Sequence, residues 1–215
     1  MTLQPSGLTE RSRVPSRTFM RRSRGIFNLT RAIVVAALAA LAAGSTHASA
    51  IREFDLRTVE SLGRQLYEHE NQSPKSLSGT EARALDSAKA ALGARIDKSH
   101  KFIVLHDPTK SGYLVYALAT SKDPDDVVFG IHYRVTVSAD GNKAERVDGL
   151  SRTRLVVNKS ETSVAVWANQ LVSTLPLETH VYLSLLHSMP LYVRTSAHTM
   201  WKIEEGRISK TRGSQ

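Results

Sequence analysis

The chain has 215 residues, 29 Lys and Arg against 20 Asp and Glu, a net charge of +9 and no cysteine. Seven of the basic residues and one acid, Glu10, precede Ile51, so residues 51–215 carry 22 basic against 19 acidic residues, a net of only +3. The basic balance therefore belongs to the N-terminal segment and gives no nucleic-acid partner, and the lack of cysteine excludes disulfides, thiolate metal sites, Cys nucleophiles and a lipid-anchored Cys.

Residues 1–50 read as an N-terminal extension and cleavable signal peptide. Arg21-Arg22-Ser23-Arg24 is basic, 32–44 is apolar without a break, and Ala48-Ser49-Ala50 is an A-x-A cleavage site. The apolar run is too short for a membrane span, which needs ~20 residues. No later run is long enough either, so no span remains after cleavage. Met20 offers an alternative start, with Met1–Phe19 then a misassigned leader. Arg21-Arg22 could open a twin-arginine signal, but Arg24 and Gly25 stand where that motif wants apolar residues, which favours the general secretory route. The expected address is periplasmic or secreted. The remaining 51–215 is expected to form a single soluble α+β domain.

Leu56, Val59, Leu62, Leu66 and Tyr67 follow helical spacing, with Asp55 as N-cap. A polar loop follows from Asn71 to Gly79. Thr80 then caps a second helix, whose face is Leu85, Ala88, Leu92 and Ile96. From Lys101 the period shifts to two. Phe102–His106, Tyr113–Thr120, Val127–Ser138 and Glu145–Val157 read as four strands of an antiparallel meander, divided by turns rich in Asp, Pro and Gly. A three-residue loop, Asp140-Gly141-Asn142, keeps apolar residues together. It pairs Val135 with Val147, Arg134 with Asp148, Ile131 with Ser151 and Phe129 with Thr153, whereas a two-residue turn would place charges on the apolar face. Val164, Trp167, Leu171 and Leu175 have helical spacing, although Val164-Ala165-Val166 also allows a strand. Pro176 ends that element. Thr179–Leu186, Leu191–Thr195, Thr199–Ile203 and Arg207–Ser209 read as short strands. The fold class is α+β: N-terminal helices packed on an antiparallel β-meander, a further helix and a small C-terminal β region. Trp167 and Trp201 are expected to be buried.

No local motif carries catalysis. His69-Glu70 begins a zinc-protease helix, but Ser73 stands where the second His belongs. Gly149-Leu150-Ser151-Arg152-Thr153 lacks the last Gly of a nucleophile elbow. Asp123, Asp125 and Asp126 lack the Gly and terminal Glu of a calcium loop. No metal or cofactor is assigned. The one surface that reads as a site is the polar face of the third hairpin, where His132, Arg134, Arg152 and Arg154 fall together. Guanidinium groups make paired hydrogen bonds to a carboxylate or phosphate. The plain reading of the same face is a set of exposed cross-strand pairs, with Arg134 on Asp148.

Two stretches, His132-Tyr133-Arg134-Val135-Thr136-Val137-Ser138-Ala139-Asp140-Gly141 and Glu178-Thr179-His180-Val181-Tyr182-Leu183-Ser184-Leu185-Leu186 with the following Pro190-Leu191-Tyr192-Val193, resemble a family of exported bacterial proteins that has no assigned function. The resemblance covers about 101–208. It implies a bacterial origin and a periplasmic address, and nothing about activity. The expected function is a non-catalytic periplasmic binding or interaction protein for an envelope ligand or protein partner, with an anionic ligand as the chemistry the arginines suit. The alternative is a small cell-envelope hydrolase using His and carboxylates.

Overall fold

Asp55 starts the first helix, α1 (Leu56–Asn71), by accepting from the backbone N–H of Thr58 at 3.0 Å and from its hydroxyl at 2.7 Å. The computed structural model describes residues 50–72, 76–159 and 164–211. The expected signal segment lies outside them, apart from Ala50 at its end. Val59, Leu62 and Leu66 form the buried stripe of α1. The second helix, α2 (Gly79–Leu92), is capped by Ser78 rather than Thr80. Ser78 and Glu81 exchange hydrogen bonds, 2.7 Å from the Ser78 N–H to Glu81 Oε2 and 3.2 Å from the Glu81 N–H to Ser78 Oγ. That S-x-x-E box satisfies two helix-end donors, which Thr80 could not do.

Four strands then form an antiparallel sheet in the order β1-β2-β4-β5: β1 (His100–His106), β2 (Tyr113–Ala119), β4 (Tyr133–Val137) and β5 (Ala144–Gly149). The expected register holds in the third hairpin, with Arg134 opposite Asp148, Val135 opposite Val147 and Thr136 opposite Arg146, before a shift between Thr136 and Val137. The expected long strands are interrupted, however. Val127–Ser138 breaks at Gly130 and Ile131, whose φ angles are +111° and +49°. The piece before the break, β3 (Asp126–Phe129), leaves the main sheet and pairs with β6 (Leu155–Asn158). Phe129 therefore faces Leu155, not Thr153.

The C-terminal half exchanges two expected elements. Residues 166–170 form a strand, β7 (Val166–Gln170), and the expected strand at 179–186 is a helix, α3 (Glu178–Leu186). Strand alternation buries Val166 and Gln170 and turns Trp167 outward, so that indole is exposed rather than part of the core. The strands β8 (Leu191–Thr195), β9 (Met200–Glu204) and β10 (Arg207–Lys210) complete a second sheet in the order β10-β9-β8-β7. The β7–β8 pair is parallel. Parallel neighbours need a long crossover, and α3 supplies it. Residues Glu178–Ser184 are all buried, which is why α3 shows no amphipathic stripe in the sequence.

The main sheet is covered on both faces. Val104, Val115, Val135 and Val137 pack under Ala84, Ala88 and Leu92 of α2. On the opposite face Ile103, Leu114, Tyr116 and Leu118 share a core with Leu62 and Leu66 of α1 and Val181 of α3. No described helix is long and apolar enough to cross a membrane.

Candidate functional site

The covered second face decides where the sequence-predicted arginines lie. Tyr116, Arg134 and Asp148 are direct cross-strand neighbours on β2, β4 and β5. Above them sit the first turn of α3 and the segment 50–54. Arg134 is fully buried there rather than exposed, a correction to the polar-face expectation. Its Nη1 donates to Glu178 Oε1 at 2.6 Å and its Nη2 to Asp148 Oδ2 at 2.9 Å and to the Arg52 carbonyl. The Tyr116 hydroxyl donates to the same Glu178 oxygen at 3.0 Å. Arg146 Nε closes the other side of Asp148 at 2.6 Å. Phe54 lies between the guanidinium groups of Arg134 and Arg52, each 4.7 Å from its ring centre. Arg52 in turn is paired in fork geometry with Asp107 at 2.6 and 2.9 Å.

Burial opposes the Arg134 charge, but Glu178, Tyr116 and Asp148 together hold its pKa above the ordinary value. Burial, then the Glu178 charge, pushes the Tyr116 hydroxyl well up. Two anions face two cations at short range, so this cluster is charge-compensated and closed. It fastens β2, β4, β5, α3 and the segment before α1 to one another, with Arg134 Nε and Glu178 Oε2 buried without a described hydrogen-bond partner.

His132 follows the Gly130–Ile131 break. Its Nδ1 accepts from the Ala119 N–H at 3.0 Å and its Nε2 donates to the Val128 carbonyl at 2.9 Å. Both nitrogens are used by backbone, and burial lowers the ring pKa to about 4. Ile131 is a β-branched residue at positive φ, a conformation that costs roughly 1–3 kcal/mol. It is held there from both ends. Its N–H donates to Ser151 Oγ at 2.8 Å, and its carbonyl accepts from His100 Nε2 at 3.0 Å.

Beside the break is a narrow cleft of about 90 Å³, with His132, Ser151, Arg152 and Gln170 in its wall and His180 entering from α3. His180 Nδ1 accepts the Leu177 N–H at 3.0 Å. The neutral ring therefore carries its proton on Nε2, and no acceptor within the described chain takes that proton. Burial, and then His132, lower the His180 pKa to about 3, so it is a neutral donor at all ordinary pH.

The cleft continues into a groove of about 290 Å³ formed by Arg152, Asn169, Leu171, Arg194, Ser196 and His198. Arg152, Asn169 and Leu171 belong to both surfaces. Among the described residues no acidic side chain lines either one. Among the described residues neither Arg152 nor Arg194 has a carboxylate within 4 Å, and the contact recorded for Arg194 is His198 Nδ1 at 3.4 Å. Arg154 lies elsewhere, its guanidinium 3.5 Å from the Thr120 carbonyl. The structure thus brings together His132 and Arg152 of the expected set, removes Arg134 to the core and leaves Arg154 apart. It adds His180, Arg194 and His198. Sequence reading placed His180 on a strand rather than on α3, and nothing in the sequence tied Arg194 or His198 to Arg152, because the parallel β7–β8 pairing that joins them is non-local.

Among the described residues no three His, Asp or Glu side chains converge to hold a metal. The His–carboxylate pair is His100 with Asp97, 3.1 Å apart at the start of β1, outside the cleft. The arrangement suits capture of an oxyanion: a fixed neutral donor deep in the cleft, with exposed guanidinium groups at its mouth. Compared with known proteins, the chain matches no family model, no curated protein and no solved structure.

Proposed function

We propose that the protein is an exported periplasmic, non-catalytic binding protein that holds a carboxylate or similar oxyanion of an envelope ligand at the Arg152 cleft. The observation that carries this reading is the acid-free, connected surface on which, among the described residues, Arg152 and Arg194 have no carboxylate while every guanidinium of the core network has one. Unpaired arginines beside a concave site favour planar oxyanions, which they bind through two parallel hydrogen bonds. The strained Ile131, between the cleft-lining Gly130 and His132, supports the same place, since such backbone is kept where the surroundings over-determine it. A hydrolase would need a carboxylate beside His180. The buried carboxylates of this region, Glu178 and Asp148, are instead engaged by Arg134. The basic run, apolar run and A-x-A site support export, as does the resemblance to exported bacterial proteins.

The test is calorimetry with acidic envelope fragments such as muropeptides, with Arg152→Ala as the variant. Arg152→Ala is expected to weaken binding about tenfold, ~1.4 kcal/mol, and binding is expected to weaken as salt rises, because the rim charges are solvent-exposed. No heat at low salt, or equal heats for both proteins, overturns the reading. Export is checked by the mass of the protein from a periplasmic extract, which is expected to begin at Ile51; a full-length cytoplasmic chain overturns that part.

A further inference from the structure

Trp167 is 62% exposed and is the largest apolar side chain left open on the described surface. It stacks on Tyr192 of the neighbouring strand, with ring centres 5.1 Å apart and planes 19° from parallel. β7 is the last strand of its sheet. Tyr192 therefore backs one face of the indole, and no described residue stacks on the other. An indole held by stacking, with its other face open, offers a flat apolar platform on which a ligand face can stack.

Side chains two residues apart on a strand share a face and lie ~6.6 Å apart along it. Asn169 and Arg194 are paired partners one such step beyond Trp167 and Tyr192, on the same face. That second row is the wall of the basic groove, which also holds Arg152. An open aromatic face thus stands about one pyranose ring away from a groove whose described lining holds an amide, two guanidinium groups and no acid, while Lys202 on the other side of Tyr192 is paired with Glu204.

Each half of this surface excludes a simpler ligand. A wholly apolar partner would strip water from Arg194 and leave it unpaired, which is costly. A bare anion would have no use for the indole. A sugar has both properties: one C–H face is apolar and complements the electron-rich indole, while its hydroxyls and any carboxylate point outward from the ring edge.

We infer that the outer face of the β7–β8 edge binds an acidic oligosaccharide, one sugar ring against Trp167 and its carboxylate at Arg194 and Arg152. This rests on the oxyanion reading above and names its ligand class. Calorimetry at low salt tests it with four probes: N-acetylglucosaminyl–N-acetylmuramic acid, trigalacturonate, neutral chitobiose, and acetate as the anion alone. At least one acidic sugar is expected to bind, and Trp167→Ala is expected to weaken it about tenfold, ~1.4 kcal/mol. Trp167→Phe, which keeps a ring, is expected to retain most of that affinity. Arg194→Ala is expected to weaken the acidic sugar by a similar factor and to leave chitobiose, bound more weakly, unchanged.

Acetate is expected to respond to Arg152→Ala and not to Trp167→Ala. If acetate keeps that response while neither acidic sugar binds, or while Trp167→Ala leaves their affinity unchanged, the oligosaccharide inference fails and the oxyanion reading stands. If acetate and the acidic sugars are all indifferent to Arg152→Ala and Arg194→Ala, both fail, whatever chitobiose does. A self-association in sedimentation that Trp167→Ala abolishes, with no sugar bound, assigns the indole to a second copy of the chain and overturns the inference.

Discussion

Acid sensitivity follows from His132 and His180. Both rings are neutral in the folded protein, with pKa values lowered by burial to about 4 and about 3. In the unfolded chain each returns to about 6.5. Between those values the unfolded state binds more protons, so stability rises with pH. The contribution is complete above about pH 6.5 and drains as pH falls through 6.5 toward 4 for one ring and toward 3 for the other. At about pH 5 each ring is still neutral when folded, so each has lost about 1.5 units, ~2 kcal/mol, and the pair ~4 kcal/mol. That magnitude needs only that both folded values lie below 5. It is a large part of the 5–15 kcal/mol that holds a typical domain. His187, lowered by burial and by Lys159, adds in the same direction. Urea unfolding followed by circular dichroism at about pH 7.5 and about pH 5 measures the difference. His180→Asn keeps an acceptor for the Leu177 N–H and removes the titration, so it should cut the loss by nearly half. A loss below about 1 kcal/mol, or an equal loss in the variant, would refute the assignment of neutral buried rings.

Four other outcomes are expected. Arg134→Met leaves Glu178 without a cation and Asp148 with Arg146 alone, and should cost about 3–5 kcal/mol in urea unfolding, while the triple change with Glu178→Gln and Asp148→Asn should restore at least half of it. Asp148→Ala, silent if Arg134 were a surface residue, should be severe for the same reason. Trp167→Ala should shift stability by no more than about 0.5 kcal/mol, since the side chain is exposed. Trp201→Phe should cost less than about 1 kcal/mol in thermal unfolding, because the indole N–H is buried with no partner among the described residues, and ending that penalty offsets the lost ring packing.

Local signals in this chain were legible where they were complete. Asp55, with Thr58 placed to donate back to it, made an unambiguous cap. Apolar alternation fixed the register of the third hairpin from Tyr133 to Thr136, because a one-residue slip would invert every side chain, but the shift after Thr136 pairs Val137 with Ala144 and closes a four-residue turn at 139–142 instead of the expected three-residue loop. The reading failed where tertiary contacts override period. Val166–Gln170 alternates, with Val166 and Gln170 buried and Trp167 and Asn169 exposed, yet its apolar residues also fit a helix face. Thr179–Leu186 is so thoroughly buried that neither period appears, and only Pro176 and the acidic Glu178 marked a helix start. With that helix misread, His180 was placed on a strand rather than in the first turn of α3, from which it enters the cleft.

The misplaced arginine has a more general cause. Arg134 does point away from Val135 and Val147, as alternation requires. The error was to equate the face opposite the apolar one with solvent. Tyr113-Leu114-Val115-Tyr116-Ala117-Leu118-Ala119 is apolar on both faces and buried throughout, which is the pattern of a strand covered on two sides. A strand paired with it cannot have one face in water. Arg134 sits directly across from Tyr116, so its charge had to be met inside the protein, and the partners that meet it come from a strand neighbour, Asp148, and from a helix 44 residues away, Glu178. The same covering leaves the rim, where β3 departs from the sheet, as the place where Arg152 reaches solvent, and Arg194 on β8 of the second sheet borders the same groove, with no described carboxylate beside either. The break at Gly130 and Ile131 therefore separates the buried guanidinium of Arg134 from the exposed one of Arg152.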